Sequence, residues 1–244
     1  PNIKVGGFGT WSLGIKNKNR LKKFLQNSQM DFISIHNYGN IVNKYASEKQ
    51  KMKDVKFISY DSILELRDFI KKYNPHKEIE IVNSEYNSDY RVEYMPYLDE
   101  PFTAAWYASS LIWQIKNQEV ALELFYAGTS LQVGEGFGMW SSNLELWPVY
   151  HMKKSFVKYN KKDSFIAKTI APHNVIDVLA VENAKGKFIT IVNKQNKDSI
   201  ADIKLINGSF AEVIDLNSNQ TFFISSNVIE LNLRPYEVKF LQLK

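Results

Sequence analysis

One carboxylate in this 244-residue sequence lies where an apolar run gives way to polar residues. The run is EIEIV, residues 78–82, and Glu85 follows shortly after it. At the carboxyl end of a buried parallel strand, a side chain faces the site that the connecting loops form. A carboxylate there can attack the anomeric carbon of a sugar, if a second, protonated carboxyl group lies about 5–5.5 Å away. The spacing leaves one alternative open, in which Glu85 is a loop carboxylate paired with a lysine.

Side chains that could assist this carboxylate end two other apolar runs. The first run closes with GGF, which ends at Phe8, and the second closes with HNY, which contains His36 and Tyr38. His36 or Tyr38 on a neighbouring strand could donate hydrogen bonds that favour a charged carboxylate at Glu85. Position alone is equally compatible with amphipathic side chains at the edge of a core. The three residues are candidates for contact with a sugar.

A glycine-rich loop, VGEGFGMW at residues 133–140, follows the last run of this kind. Trp140 offers a flat apolar surface on which a sugar ring can stack, and Glu135 can accept hydrogen bonds from sugar hydroxyls. Glycine-rich loops are also common as simple turns. Glu135 and Trp140 therefore complete the candidate substrate-binding set, with the turn interpretation left open.

The composition excludes several classes of site. Cysteine is absent, which excludes disulfides and thiolate chemistry, and the four histidines form no metal motif. The net charge of +5 comes from lysines along the whole chain, without a nucleic-acid motif. No stretch approaches the roughly 18 consecutive apolar residues of a membrane helix. We therefore expect a folded protein with no metal, no cofactor, no nucleic-acid partner and no membrane partner.

Strand and helix patterns alternate four times in the first two thirds of the chain, as in a parallel sheet with helical crossovers. The predicted strands are residues 3–9, 32–36, 79–82 and 120–126, and the predicted helices are residues 17–28, 62–73, 102–116 and 151–159. Trp106 and Trp113 lie at helical spacing in the third helix. They are predicted to be core residues.

The texture of the sequence changes near the polar segment KKDS at residues 161–164. Short alternating segments separated by turn residues follow it, and they predict a small antiparallel β-domain. We expect two domains, residues 1–160 and residues 161–244. Four strand–helix units cannot close a barrel, which needs eight, and their two open strand edges would favour pairing with another half.

Six segments together resemble a known enzyme family. They are VGGFG (residues 5–9), DFISIHNYG (31–39), NSEYNSDY (83–90), DEPFTAAWYAS (99–109), GEGFGMW (134–140) and LRPYEVKFLQL (233–243). Their order is similar to the second half of clan A glycoside hydrolases. It is most like glycoside hydrolase family 39, which includes β-xylosidases and α-L-iduronidases. The strongest link is NSEYNSDY, which resembles the Thr-Glu-Phe-Asn-like nucleophile motif of that family and places Glu85 on the nucleophile position.

The resemblance implies a mixed α/β and all-β fold, the C-terminal half of a (β/α)8 TIM barrel followed by a small antiparallel β-sandwich. It implies a retaining glycoside hydrolase that forms a covalent intermediate on Glu85, with a β-xyloside or related carbohydrate as substrate. The acid/base glutamate of the family lies on the fourth strand, for which nothing upstream of Val5 is equivalent. We therefore expect activity to require the N-terminal half of the same barrel, as a separate chain or a missing segment.

One departure from the family leaves the sugar specificity open. The Tyr-Trp-x-Phe-type segment of the eighth strand is replaced by LELFYAG at residues 122–128. Two other interpretations remain. The first is another clan A family with a different specificity, and the second is a non-catalytic carbohydrate-binding or assembly subunit built on a half-barrel.

Overall fold

The chain forms two compact units in the computed structural model. The structure describes residues 3–10, 15–91, 100–128, 138–141, 143–205, 212–223 and 227–244. The first unit is the described part of Pro1–Leu98 and Trp113–Leu144, and the second unit is the described part of Asp99–Ile112 and Glu145–Lys244. No helix among the described residues is long and apolar enough to cross a membrane.

The first unit is built on a four-stranded parallel sheet. Its strands are β1 (Gly6–Thr10), β2 (Phe32–Tyr38), β3 (Glu80–Asn87) and β4 (Val120–Phe125). They lie side by side in chain order, β1-β2-β3-β4, and all three pairings are parallel. The four predicted strands are therefore present and adjacent. Their carboxyl ends meet at one edge of the sheet.

Helices connect these strands. They are α1 (Ile15–Asn27), α2 (Glu48–Lys56), α3 (Ser62–Tyr73) and α4 (Pro101–Asn117), with a π-helix at Phe57–Asp61 between α2 and α3. The sequence analysis assigned no element to α2 or to the π-helix. The buried positions of α2 are Lys51, Met52 and Val55. A lysine at a buried position interrupts the apolar stripe that marks an amphipathic helix, so the pattern was too weak to detect.

The apolar core of the first unit lies between the sheet and helices α1 and α3. It contains Leu21, Leu25, Met30, Ile33, Ile35, Ile63, Leu66, Ile70, Ile79 and Ile81. The isoleucines of β2 and β3 alternate with polar residues, as in strands with one buried face. Helix α4 belongs to the second unit up to Ile112 and to the first unit from Trp113. Its Trp106 and Trp113 are 0% and 5% exposed, which confirms that they are core residues.

Glycine is required at one position of β1. A Cβ atom added to Gly6 would lie 2.2 Å from the ring of Phe32, its partner on β2. Any larger residue would force the ring or the strand to move. The VGG segment that the sequence analysis singled out thus has a packing role at Gly6.

The second unit contains helix α5 (Pro148–Tyr159) and two antiparallel sheets. Its strands are β5 (Phe165–Ala167), β6 (Ile176–Asn183), β7 (Gly186–Asn193), β8 (Ser199–Lys204), β9 (Glu212–Asp215), β10 (Gln220–Phe223), β11 (Val228–Leu233) and β12 (Val238–Leu243). One sheet has the order β10-β9-β12-β7-β6-β5, and β11 pairs with β8 in the other. Residues of both sheets share one apolar core. Helix α5 precedes residue 161, and the domain boundary at that residue stays a prediction.

Shortening one core side chain should destabilise the first unit. Leu66 of α3 is 1% exposed and belongs to the apolar cluster. We expect Leu66→Ala to lower the free energy of unfolding by about 2–5 kcal/mol, because the truncation leaves a cavity. Urea unfolding followed by circular dichroism measures the change. Asp68→Ala on an exposed position of the same helix is the control, and an equal effect of both variants would contradict the proposed packing.

Candidate active site

Strand β3 contains one extra residue immediately before Glu85. On its β2 side, Ile35 pairs with Asn83, but the next residue, His36, pairs with Glu85. The pairing with β4 shifts over the same stretch. Asn83 pairs with Glu123 and Tyr86 pairs with Phe125, so β3 advances by three residues while β4 advances by two. Two neighbours thus agree on the position of the irregularity. Ser84 is the inserted residue of a β-bulge.

The bulge decides which face of the sheet Glu85 occupies. Paired residues share a face, and successive residues alternate between faces. We define the site face as the face that carries Ser34, His36 and Tyr38 of β2, Val82, Glu85 and Asn87 of β3, and Leu122 and Leu124 of β4. In a regular strand, Glu85 would lie on the same side as Asn83, toward the helices. The extra residue reverses this alternation and brings Glu85 beside His36.

The carboxylate of Glu85 has two polar neighbours on the site face. The phenol of Tyr38 donates a hydrogen bond to Glu85 Oε2 at 2.9 Å. His36 Nδ1 lies 3.3 Å from the same oxygen. The side chain of Glu85 is 34% exposed, so the carboxylate is oriented by its neighbours and still accessible. The structure brings together three of the residues that the sequence analysis selected.

Tyr38 is fixed as a hydrogen-bond donor. Its side chain is buried, and burial, together with the hydrogen bond to the Glu85 carboxylate, raises the pKa of Tyr38 far above its ordinary value. The phenol therefore keeps its proton at any physiological pH. The edge of one ring in the pair Tyr38 and Tyr90 meets the face of the other, with centroids 5.9 Å apart.

Backbone and side-chain hydrogen bonds join the ends of three strands around Glu85. Gly39 N donates to Asn87 O at 3.0 Å, which joins the end of β2 to that of β3. Asn87 Nδ2 donates to Tyr126 O at 2.6 Å, which joins β3 to the residue after β4. Asn87 lies inside the NSEYNSDY segment, at a strand end predicted to face the site, but it is not among the predicted site residues. These bonds hold the edge of the sheet on both sides of the carboxylate.

A buried ionic cluster lies directly after β3. Asp89 accepts hydrogen bonds from Lys51 Nζ at 2.6 Å and from two nitrogens of Arg91 at 2.8 and 3.0 Å. Asn40 Nδ2 donates to Asp89 Oδ1 at 2.6 Å, and the backbone of Tyr90 donates to Asn40 Oδ1 at 3.3 Å. The cluster therefore anchors Tyr90, whose ring contacts Tyr38. Asp89 and Tyr90 lie inside the NSEYNSDY segment, but no sequence pattern marked Asn40, Lys51 or Arg91.

In this cluster the single carboxylate of Asp89 binds two cationic side chains. Burial alone would raise the pKa of Asp89, but the contacts with Arg91 and Lys51 outweigh it and hold the pKa below its ordinary value of 3.8. Burial lowers the pKa of Lys51, and its bond to Asp89 opposes this shift. Asp89 is thus the residue on which the charge balance of the cluster depends.

The remaining candidates have different outcomes. The ring of Trp140 lies against Gly128, close to the end of β4, and is half-buried. Phe8 belongs to strand β1 by its backbone, but its side chain lies outside the described part of the structure. Glu135 lies outside the described residues altogether. Within the described ranges, no group of three or more acidic or histidine side chains could hold a metal ion.

Several solved structures with a similar fold are glycoside hydrolases. The GH51 arabinofuranosidase of Xanthomonas axonopodis pv. citri matches with a TM-score of 0.65 at 13% identity, over 98% of this chain and 57% of that one. The α-L-arabinofuranosidase of Thermotoga maritima matches with 0.66 at 15%, over 98% and 57%. A family 39 glycoside hydrolase of Bacteroides cellulosilyticus WH2 matches with 0.55 at 16%, over 88% and 44%.

These likenesses show that the fold of this chain is similar to that of these glycoside hydrolases. At such low identities they concern the fold alone. The chain spans about 57% of the length of the first two enzymes. A scan against protein-family models matches none, and a search of curated proteins finds no relative by sequence. The fold is therefore similar to that of these glycoside hydrolases, and no family is shown for this chain.

Removing the negative charge of the ionic cluster should destabilise the first unit. We expect Asp89→Asn to lower the free energy of unfolding by about 3–5 kcal/mol at pH 7, because Lys51 and Arg91 lose the buried carboxylate that both of them bind. The pKa of Asp89 is lower in the folded chain, so its stabilising contribution is present above about pH 4 and is lost as the pH falls further.

The difference between the parent chain and Asp89→Asn should therefore shrink as the pH falls below about 4. Urea unfolding at a series of pH values measures it. Asp68→Asn, an exposed carboxylate of the same unit, is the matched control. If both variants lose the same stability at pH 7, the cluster does not depend on Asp89.

Proposed function

We propose that this chain carries the nucleophile of a retaining glycoside hydrolase, most like family 39, that hydrolyses O-glycosidic bonds of a β-xyloside or related glycoside. The observation that carries the proposal is the position of Glu85. It lies at the carboxyl end of a parallel strand, with Tyr38 and His36 on one carboxylate oxygen. Strand ends of this kind form the active site in barrel enzymes.

The proposed reaction is a double displacement. The carboxylate of Glu85 attacks the anomeric carbon and forms an ester bond, while the bond to the leaving oxygen breaks and that oxygen takes a proton from a general acid. Water then attacks the anomeric carbon of the ester, gives its proton to the same group, and releases Glu85 as a carboxylate. The acid/base group would lie on the proposed N-terminal half of the barrel.

Tyr38 and His36 would orient the nucleophile. Because the pKa of Tyr38 is raised, its phenol keeps its proton. It donates this proton in a hydrogen bond to Glu85 Oε2. His36 is close enough to the same oxygen to orient the carboxylate or to bind a sugar hydroxyl. The second oxygen of Glu85 then remains available for attack. Trp140 beside Gly128 would supply a stacking surface, and sugar contacts of Phe8 and Glu135 stay predictions.

The exposed part of the site face supports the proposed half-barrel. Leu122 and Leu124 are 50% and 47% exposed and lie on the face that carries Glu85. Strands β1 and β4 are the outer strands of the sheet as described, and each leaves one edge open. A further four strand–helix units would cover this face and pair with both edges. We propose an N-terminal half of this kind as the partner.

A mechanism-based label tests the nucleophile directly. Activated 2-deoxy-2-fluoro glycosides have good leaving groups, which lessens the need for the general acid in the first step. We expect one of a panel of such sugars to form an ester with Glu85, located by peptide mass spectrometry. Glu85→Gln should form no adduct, and exposed Glu65→Gln should behave like the parent. Sugar binding without any adduct, with the N-terminal half present, would favour the non-catalytic subunit.

The orienting role of Tyr38 has its own measurable consequence. Tyr38→Phe keeps the ring and removes the hydrogen bond to the carboxylate. We expect the labelling rate of Glu85 to fall roughly 10- to 100-fold, which is the usual strength of a hydrogen bond to a charged group. Tyr45→Phe is the control, since Tyr45 is 71% exposed. Equal rates in the two variants would remove Tyr38 from the mechanism.

A charged residue on β4 should hinder the proposed N-terminal half from binding to the site face. Leu124→Lys should change the free energy of unfolding of this chain by no more than about 0.5 kcal/mol, because the position is exposed. The association partner is an N-terminal half-barrel that carries strands one to four and is expressed separately. Leu124→Lys should weaken this association and so reduce hydrolysis of unactivated glycosides. Ile200→Lys, at another exposed apolar position, is the control. Unchanged association of Leu124→Lys would contradict the proposed surface.

A further inference from the structure

The bulge at Ser84 is held by side-chain hydrogen bonds. The hydroxyls of Ser34 and Ser84 lie 2.5 Å apart. Ser84 Oγ also donates to the backbone carbonyl of Ile35 at 3.4 Å. Either hydroxyl can be the donor in the contact between the two serines. Ile35 is the residue at which the register between β2 and β3 shifts.

We infer that Ser34 and Ser84 are positioning residues, whose hydroxyls hold the bulge that turns Glu85 onto the site face. The chain of bonds runs from Ser34 through Ser84 to the carbonyl of Ile35, so it spans the irregularity on both strands. A bulge leaves an unpaired residue and locally disrupts the ladder. Side-chain bonds at this point therefore replace part of what the ladder loses. The catalytic meaning of the inference rests on the proposed role of Glu85.

The contribution of the hydroxyls can be isolated with matched substitutions. Threonine and valine have nearly the same shape, and threonine alone keeps the hydroxyl. Ser84→Val and Ser84→Thr therefore add similar bulk and differ in the hydrogen bonds. The pair Ser34→Val and Ser34→Thr tests the other end of the chain of bonds, and it decides the question if the Ser84 variants fail to fold. Both serines are half-buried, so the valine and threonine of each pair meet the same surroundings.

Native-state hydrogen exchange is the first readout, because it does not depend on catalysis. We expect the backbone amides of Glu85 and Tyr86 to lose protection about 2- to 10-fold in Ser84→Val, the effect of one or two hydrogen bonds. Ser84→Thr should restore the parent value. Amides at the start of β2, such as that of Ile33, should not change. Equal protection in the valine and threonine variants would overturn the inference.

The labelling rate of Glu85 by the activated glycosides is the second readout. We expect it to fall about tenfold in Ser84→Val and to recover in Ser84→Thr. Lower protection with an unchanged labelling rate would overturn the positioning role, since the bonds would then be structural only. A parent chain that no sugar labels, even with the N-terminal half added, would contradict the proposed function. The exchange comparison would still decide whether the serines hold the bulge.

Discussion

The extra residue in β3 is the constraint on which the candidate site depends. Side chains along a strand alternate between two faces, so one inserted residue moves every later side chain to the opposite face. Here Ser84 is that residue, and Glu85 consequently lies beside His36 and Tyr38. A regular strand of the same sequence would direct this carboxylate toward the apolar helices, where a charge is costly to bury. One inserted residue thus decides which face of the sheet carries Glu85.

A buried cluster of charged side chains restrains the backbone directly after β3. Asp89 is fully buried and neutralises Lys51 while it binds Arg91 through both carboxylate oxygens. Burying such a cluster costs desolvation energy, and a similar volume of apolar side chains would stabilise the fold at least as well. What the ions add is geometry, because they hold the backbone around Tyr90 and so the ring that contacts Tyr38. The arrangement favours a defined position over maximal stability.

The parts of the site that lie on regular strands could be predicted from the pattern of apolar and polar residues. The parts that depend on an irregularity in a strand could not. Apolar runs with polar ends located β2 and β3 and selected Glu85, His36 and Tyr38. The bulge could not be predicted, since neither Ser34 nor Ser84 differs from an ordinary strand residue until the register is known. Helix α2 was not predicted because Lys51 occupies one of its buried positions and interrupts the apolar pattern. Strand β11 has no such irregularity. Buried and exposed residues alternate along it without a break, which is the pattern that a sequence can display.

The site face combines two properties that bear on each other. It carries the candidate nucleophile and also the exposed leucines Leu122 and Leu124. A layer that removes these leucines from water, as the proposed N-terminal half would, also removes water from around Glu85. Exclusion of water strengthens the hydrogen bond from Tyr38 to the carboxylate and the field acting on a developing positive charge at the sugar. Apolar cover and catalytic environment would therefore arise from the same association, which explains why one surface displays both.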